Sequence, residues 1–234
     1  MILKIIQGLT LVGLGLSTLG PALAHFRQLT PYVGFRATLA GGAACGLALA
    51  AGTFLILKGP RSRGLLITTG VAAMVTLPLL ALALRKSDAP LINDISTDLQ
   101  SPPELTSTAA RSDLPENLLI YDPALREIQT RSYPDLKGLN LPIDPASAFS
   151  RTLTVARSNP NWTLHEIDEK GMRIEGQEET FLFRFRDHFV IQVRATDSGS
   201  IVHMRSRSRD GKGDLGANTR RIRQFLGSLK TGQE

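Results

Sequence analysis

The sequence predicts an α+β protein: three N-terminal transmembrane helices, then a two-layer domain of about five antiparallel strands with two helices. Three observations predict it. Residues 1–86 contain three long apolar runs and no acidic residue. Between Trp162 and Arg209 the chain alternates apolar and polar residues in short runs, as half-buried strands do. Two amphipathic helical segments, each opened by an aspartate, flank those runs.

The apolar runs are Ile5–Leu23, Ala37–Leu57 and Gly64–Leu84. Each is long enough to cross a hydrocarbon core of roughly 30 Å as a helix. Lys4, the first run and then Pro21-Ala22-Leu23-Ala24 also fit a cleavable secretory signal, and that alternative stays open. Lys58, Arg61 and Arg63 crowd one short loop, which the positive-inside rule places in the cytoplasm with Lys4. Arg27, Arg36, Arg85 and Lys86 lie on the other side. The expected location is therefore an inner (plasma) membrane, multi-pass, with the C-terminal domain extracytoplasmic. Gly13, Gly15, Gly20, Gly42 and Gly46 read as helix-packing positions, because no strand precedes them as a dinucleotide fingerprint requires.

Ser87 to about Glu116 is rich in Pro, Ser, Thr and Asp and reads as an extended linker. Within it, Leu91 to Asp98 is apolar enough to dock. The domain proper is expected over 117–234. Asp144-Pro145 opens a helix that Asn159-Pro160 ends. Strands follow at Trp162–Asp168, Met172–Gly176, Thr180–Arg186, Phe189–Thr196 and Ile201–Arg209, with a hairpin turn at Asp187-His188. Phe181, Phe183 and Phe185 share one face of the third strand, the expected core face. The last helix carries Leu215, Ile222, Phe225, Leu226 and Leu229 on one stripe.

The net charge of +6 is unevenly spread. Residues 1–86 hold eight of the 27 basic residues, and 200–234 hold eight basic against three acidic ones. The stretch 87–199 is acidic. The high pI thus comes from membrane flanks and one C-terminal element, and no nucleic-acid partner is expected. The single cysteine, Cys45, lies in an apolar run, so no intrachain disulfide forms.

The most distinctive polar feature is a strand–turn–helix from Ser200 to Phe225 with six arginines. His203, Arg205, Arg207 and Arg209 fall on one side of the strand, and Val202, Met204, Ser206 and Ser208 on the other. Arg184, Arg186, Gln192, Arg194, Arg205 and Arg207 are expected together on an uncovered sheet face. Asp214 is placed to cap the helix, and Asn218 and Arg221 face one way, toward Asp94 or the turn backbone. Two readings remain open: the arginines pair with the domain's own acids, or they hold an external anion.

No spacing of His, Asp, Cys or Ser matches a metal site, a nucleophile elbow or a phosphate loop, so no catalytic residue, metal or cofactor is assigned. The expected function is a membrane-anchored module binding an anionic lipid, metabolite or partner. Its binding set is Asp94, Arg205, Arg207, Arg209, Asp214, Asn218 and Arg221, with Arg205, Arg207 and Arg221 converging on one concavity. Two alternatives are an enzyme using Asp94, Asp214 and His203, and a structural subunit assembled with other membrane proteins.

The C-terminal part resembles a bacterial and plastid family catalogued as domain of unknown function 1499. The resemblance covers about 90–230. It begins with Ile92-Asn93-Asp94-Ile95-Ser96-Thr97-Asp98 and Pro102-Pro103, then Tyr133-Pro134-Asp135 and Trp162. It continues through Phe183-Arg184-Phe185-Arg186-Asp187 and Arg205-Ser206-Arg207-Ser208-Arg209 to Gly213-Asp214-Leu215-Gly216-Ala217-Asn218 and Arg221-Ile222. Asp187-His188 stands where the family favours paired acids. The resemblance implies one domain, often behind membrane helices, and no substrate.

Overall fold

The computed structural model describes residues 1–59, 61–84 and 88–231. Arg85 and Lys86, part of the flanking charge discussed above, lie outside them. The chain divides into two compact units: residues 1–87 with 180–184, and residues 88–179 with 185–234.

The first unit holds α1 (Ile2–His25), α2 (Pro31–Lys58) and α3 (Arg63–Ala83), each long and apolar enough to cross a membrane. Thr30 and Ser62 cap α2 and α3 by accepting from Val33 N–H and Leu65 N–H, and Pro31 occupies the first turn of α2. Side chains such as Leu11, Leu47 and Met74 point outward, as lipid-facing residues do. Helices α1 and α2 meet backbone to backbone. A Cβ on Gly13 would lie 2.7 Å from the Gly41 carbonyl oxygen, so a larger residue there forces the helices apart. Gly42 faces Leu79 of α3 instead, and Gly15 faces open space. Residues 180–184, part of this unit, form a turn closed by Arg184 N–H donating to Thr180 O.

The second unit is built on a six-stranded antiparallel sheet. Its strands are β1 (Asp94–Ser96), β2 (Leu139–Leu141), β3 (Trp162–Asp168), β4 (Arg173–Glu179), β5 (Arg186–Thr196) and β6 (Gly199–Ser208). The order is β1-β6-β5-β4-β3, with β2 pairing the other end of the β6 edge that β1 uses. Short helices α4 (Thr108–Asp113), α5 (Glu116–Leu119) and α6 (Leu125–Ser132) precede the longer α7 (Pro145–Ser158) and α8 (Ala217–Thr231). Helices α7 and α8 cover one sheet face and enclose the main core of Phe149, Leu153, Ile174, Phe189, Ile191, Val202, Met204, Ile222 and Phe225.

Four expectations are corrected. The turn is not at Asp187-His188: both residues lie inside β5, buried on opposite faces, because each finds a charged partner across the sheet surface. Of Thr180–Arg186 only Arg186 is strand, as the first residue of β5. Phe181 is 78 % exposed and outside the core, since the alternation there falls in a turn rather than on a pleat. Leu215 leaves the apolar stripe and is exposed at φ 52°, just ahead of α8.

The fourth correction matters most. The sheet face carrying Arg205 and Arg207 is not open. Residues 93–121, most of which fall in the stretch 87–116 read as an extended linker, lie across it as a strap. Leu105, Ala110, Leu114 and Leu119 bury against Val190. Hydrogen bonds fix the strap: Glu175, 2 % exposed, accepts from Thr106 N–H (2.7 Å) and Ser107 N–H (2.9 Å). Gln129 does the same for β1, accepting from Ser96 N–H and donating to Ser96 O.

Candidate functional site

Strand alternation splits the expected binding set between the two faces of the sheet. Arg205 and Arg207 project toward the strap, Ser206 and Ser208 toward α8. Asn218 and Arg221, on α8, therefore meet the serines and not the other arginines. The expected convergence of Arg205, Arg207 and Arg221 does not occur.

On the helix side, Asp214 opens α8 by accepting from Gly216 N–H (2.8 Å) and Asn218 N–H (2.7 Å). Asn218 donates to Asn93 O and Ser208 Oγ and accepts from Ser206 Oγ at 2.7 Å. Arg221 donates through Nε to Glu178 (2.8 Å), through Nη2 to Asp187 (2.7 Å) and through Nη1 to both Ser206 Oγ and Asn218 Oδ1. Trp162 Nε1–H also donates to Glu178. A depression of about 340 Å³ borders Trp162, Glu178 and Arg221, but Glu178 already accepts from both of the others. This cluster locks α8 to β4, β5 and β6.

On the strap side, Asp94 lies at the centre. Arg205 grips it with two hydrogen bonds, Nε to Oδ1 (2.9 Å) and Nη2 to Oδ2 (2.8 Å). Both side chains are fully buried. The remaining Arg205 donors reach the carbonyls of Pro103, Leu118 and Leu119, and the guanidinium lies 5.8 Å from the Tyr121 ring centroid. Arg205 is thus saturated. Arg207, 6 % exposed, uses the same carboxylate: Nη1 donates to Asp94 Oδ2 at 2.6 Å. Its Nε is buried without any partner. Two buried guanidinium groups therefore share one carboxylate, leaving a net positive charge.

Arg207 lines a cleft of about 610 Å³. Arg209 and Lys212 line it too, opposed by one acid, Asp122, while Leu118, Ile120, Pro123 and Leu125 supply apolar wall. Arg209 is already matched by Asp210 and Asp113. Asp113, on α4, is the second hub that the sequence did not single out. It accepts from Arg186 Nη1 (2.9 Å) and Arg209 Nη1, and pairs with His188 Nε2 (2.9 Å). The acidic surplus of 87–199 was the signal that such partners exist.

The three residues of the enzyme alternative each have other partners. Asp94 is held by two arginines, Asp214 caps α8, and His203 Nδ1 contacts Thr97 Oγ1 at 3.3 Å. None of the three hydrogen bonds another. Among the described residues, no group of three or more His, Cys, Asp or Glu is placed to hold a metal ion.

Burial pushes the imidazoles of His188 and His203 below their ordinary 6.5, against the pull of Asp113 and Asp98 respectively. Burial raises the Asp113 carboxyl, but His188, Arg186 and Arg209 outweigh it and hold it below its ordinary 3.8. A neutral His188 donating to an ionised Asp113 satisfies both directions. The unfolded chain binds protons on these histidines near pH 6.5, whereas the fold resists them. Stability is therefore complete above pH 6.5 and declines as pH falls below it, with a further loss below about pH 4 as Asp113 protonates. Urea midpoints measured at pH 7.5 and 5.5 check this, and His188→Gln should flatten the slope between them.

The structure thus defines an α+β domain behind membrane-length helices, organised around a strapped arginine–aspartate centre. A family model described as "Protein of unknown function (DUF1499)" matches residues 94–229, and the chain belongs to that family. The match begins at Asp94, the central carboxylate, and ends at Leu229, a buried residue of α8. No curated protein matches the chain.

Proposed function

We propose that the protein is a membrane-anchored module whose second unit binds an anionic group in the cleft beside Arg207. One observation carries this reading: a guanidinium 94 % buried, with an unpartnered Nε and a surplus positive charge, on the wall of a cleft. A buried charge without a counter-charge is costly, and an anion in the cleft relieves it. The cleft supplies Lys212 as a second cation and an apolar wall, which suits a small carboxylate or phosphate carrying an apolar portion. The three apolar helices support a multi-pass membrane location. Lys58, Arg61 and Arg63, clustered between α2 and α3, support an extracytoplasmic second unit, since an odd number of crossings separates it from the amino terminus.

The test uses the full chain in detergent, with thermal unfolding and calorimetry against acetate, inorganic phosphate, glycerol phosphate and phosphatidylglycerol. A bound anion raises the midpoint with the logarithm of one plus its concentration over Kd. Arg207→Met should weaken the effective anion at least about tenfold, the usual scale for one charge-assisted hydrogen bond. A chain that no anion stabilises, or an Arg207→Met variant that binds as tightly as the parent, overturns the reading.

A further inference from the structure

The phenylalanines that read as core, and are not, have a use. Phe181 is 78 % exposed and Leu182 49 % exposed, side by side in the turn joining β4 to β5. Two large apolar side chains at the tip of a connection are unfavourable in water. Their surroundings indicate what covers them. His25, the last residue of α1, pairs through Nδ1 with Phe181 O at 2.8 Å, and the two rings lie 4.9 Å apart. The Arg184 side chain donates through Nε to His25 O. Phe183 packs edge-to-face on Phe35, in the opening turns of α2, at 5.5 Å. The turn therefore lies at the level where two apolar helices end.

That level also carries Phe26 and Tyr32, both more than half exposed, with the Arg36 guanidinium over the Tyr32 ring. Aromatic and arginine side chains gathered at the ends of apolar helices form the belt that sits among lipid head groups. An apolar pair in that belt is matched by acyl chains, and the turn is closed by Arg184 N–H, at φ 61°, donating to Thr180 O.

We infer that Phe181 and Leu182 insert into the boundary between head groups and acyl chains, making residues 180–184 a fourth, non-spanning contact with the bilayer. The inference rests on the membrane reading of α1–α3. It is tested on the full chain in phosphatidylcholine–phosphatidylglycerol vesicles, carrying Cys45→Ala and one nitroxide label. Labels are placed at Phe181→Cys, at Leu47→Cys on the outer surface of α2, and at Lys170→Cys in the exposed β3–β4 turn. The accessibility of each label to oxygen, which concentrates in lipid, is compared with that to a water-soluble nickel chelate.

The expected result is oxygen-dominated relaxation at 47 and, more weakly, at 181, with nickel-dominated relaxation at 170. Nickel-dominated relaxation at 181 alongside a lipid signal at 47 overturns the inference and leaves the membrane reading standing. A label at 181 shielded from both reagents means a protein covers it and also overturns the inference. A nickel-dominated label at 47 overturns the membrane reading, and the inference with it.

Discussion

Replacing Asp94 with asparagine will destabilise the second unit by about 3–5 kcal/mol, the usual cost of stripping the partner from a buried ion pair. The cause is local charge. Asp94 and Arg205 are fully buried and Arg207 nearly so, and among the described residues Asp94 is the only carboxylate paired with either arginine. Asparagine keeps the shape but removes the charge, and its amide presents N–H groups to donors that need an acceptor. Urea unfolding followed by Trp162, the single tryptophan, reports the change. With a slope of about 2 kcal/mol per molar, the midpoint falls by roughly 1.5–2.5 M. Arg207→Met is the informative contrast. It leaves Asp94 with both oxygens on Arg205, a neutral buried pair, so its stability should stay within about 1 kcal/mol of the parent. If Arg207→Met costs as much as Asp94→Asn, Arg207 is part of the scaffold and its surplus charge is not reserved for a ligand.

The same residues show what was legible in the sequence. The period of two in Ile201–Arg209 correctly separated Arg205 and Arg207 from Ser206 and Ser208, because the pleat dictates it. The aspartates ahead of α7 and α8 were readable as caps because the cap bond is local. What covers the arginines was not readable. Asp94 stands out in the sequence, but toward Asn218 and Arg221 rather than the Arg205 and Arg207 it pairs with. Asp113 does not, because it lies far back in a proline-rich stretch without periodicity, and only the folded strap brings it to the sheet. Phe181-Leu182-Phe183 mimicked a strand because a turn can alternate by chance. Asp187-His188 mimicked a turn because a polar pair usually marks one. Here each half has its own charged partner, Arg221 on one face and Asp113 on the other.

Arg221→Ala should cost a similar amount, about 3–5 kcal/mol, without touching the anion cleft. Its guanidinium joins four side chains from β4, β5, β6 and α8, and truncation leaves Asp187, 7 % exposed, with an uncompensated charge against the core. Arg221→Lys should recover only part of the loss, because one ammonium cannot span Glu178, Asp187 and Ser206 in the planar fork that these distances require. Trp162 shares Glu178 with Arg221 and stacks 5.4 Å from Phe225, so its emission should shift to the red in the alanine variant before global unfolding. Under conditions where the variant remains folded, its affinity for the effective anion should equal the parent's, since the sheet separates Arg221 from Arg207. A folded Arg221→Ala that has lost anion binding would place the ligand on the helix side of the sheet, in the depression beside Trp162, and Arg207 would then be only a buried spectator.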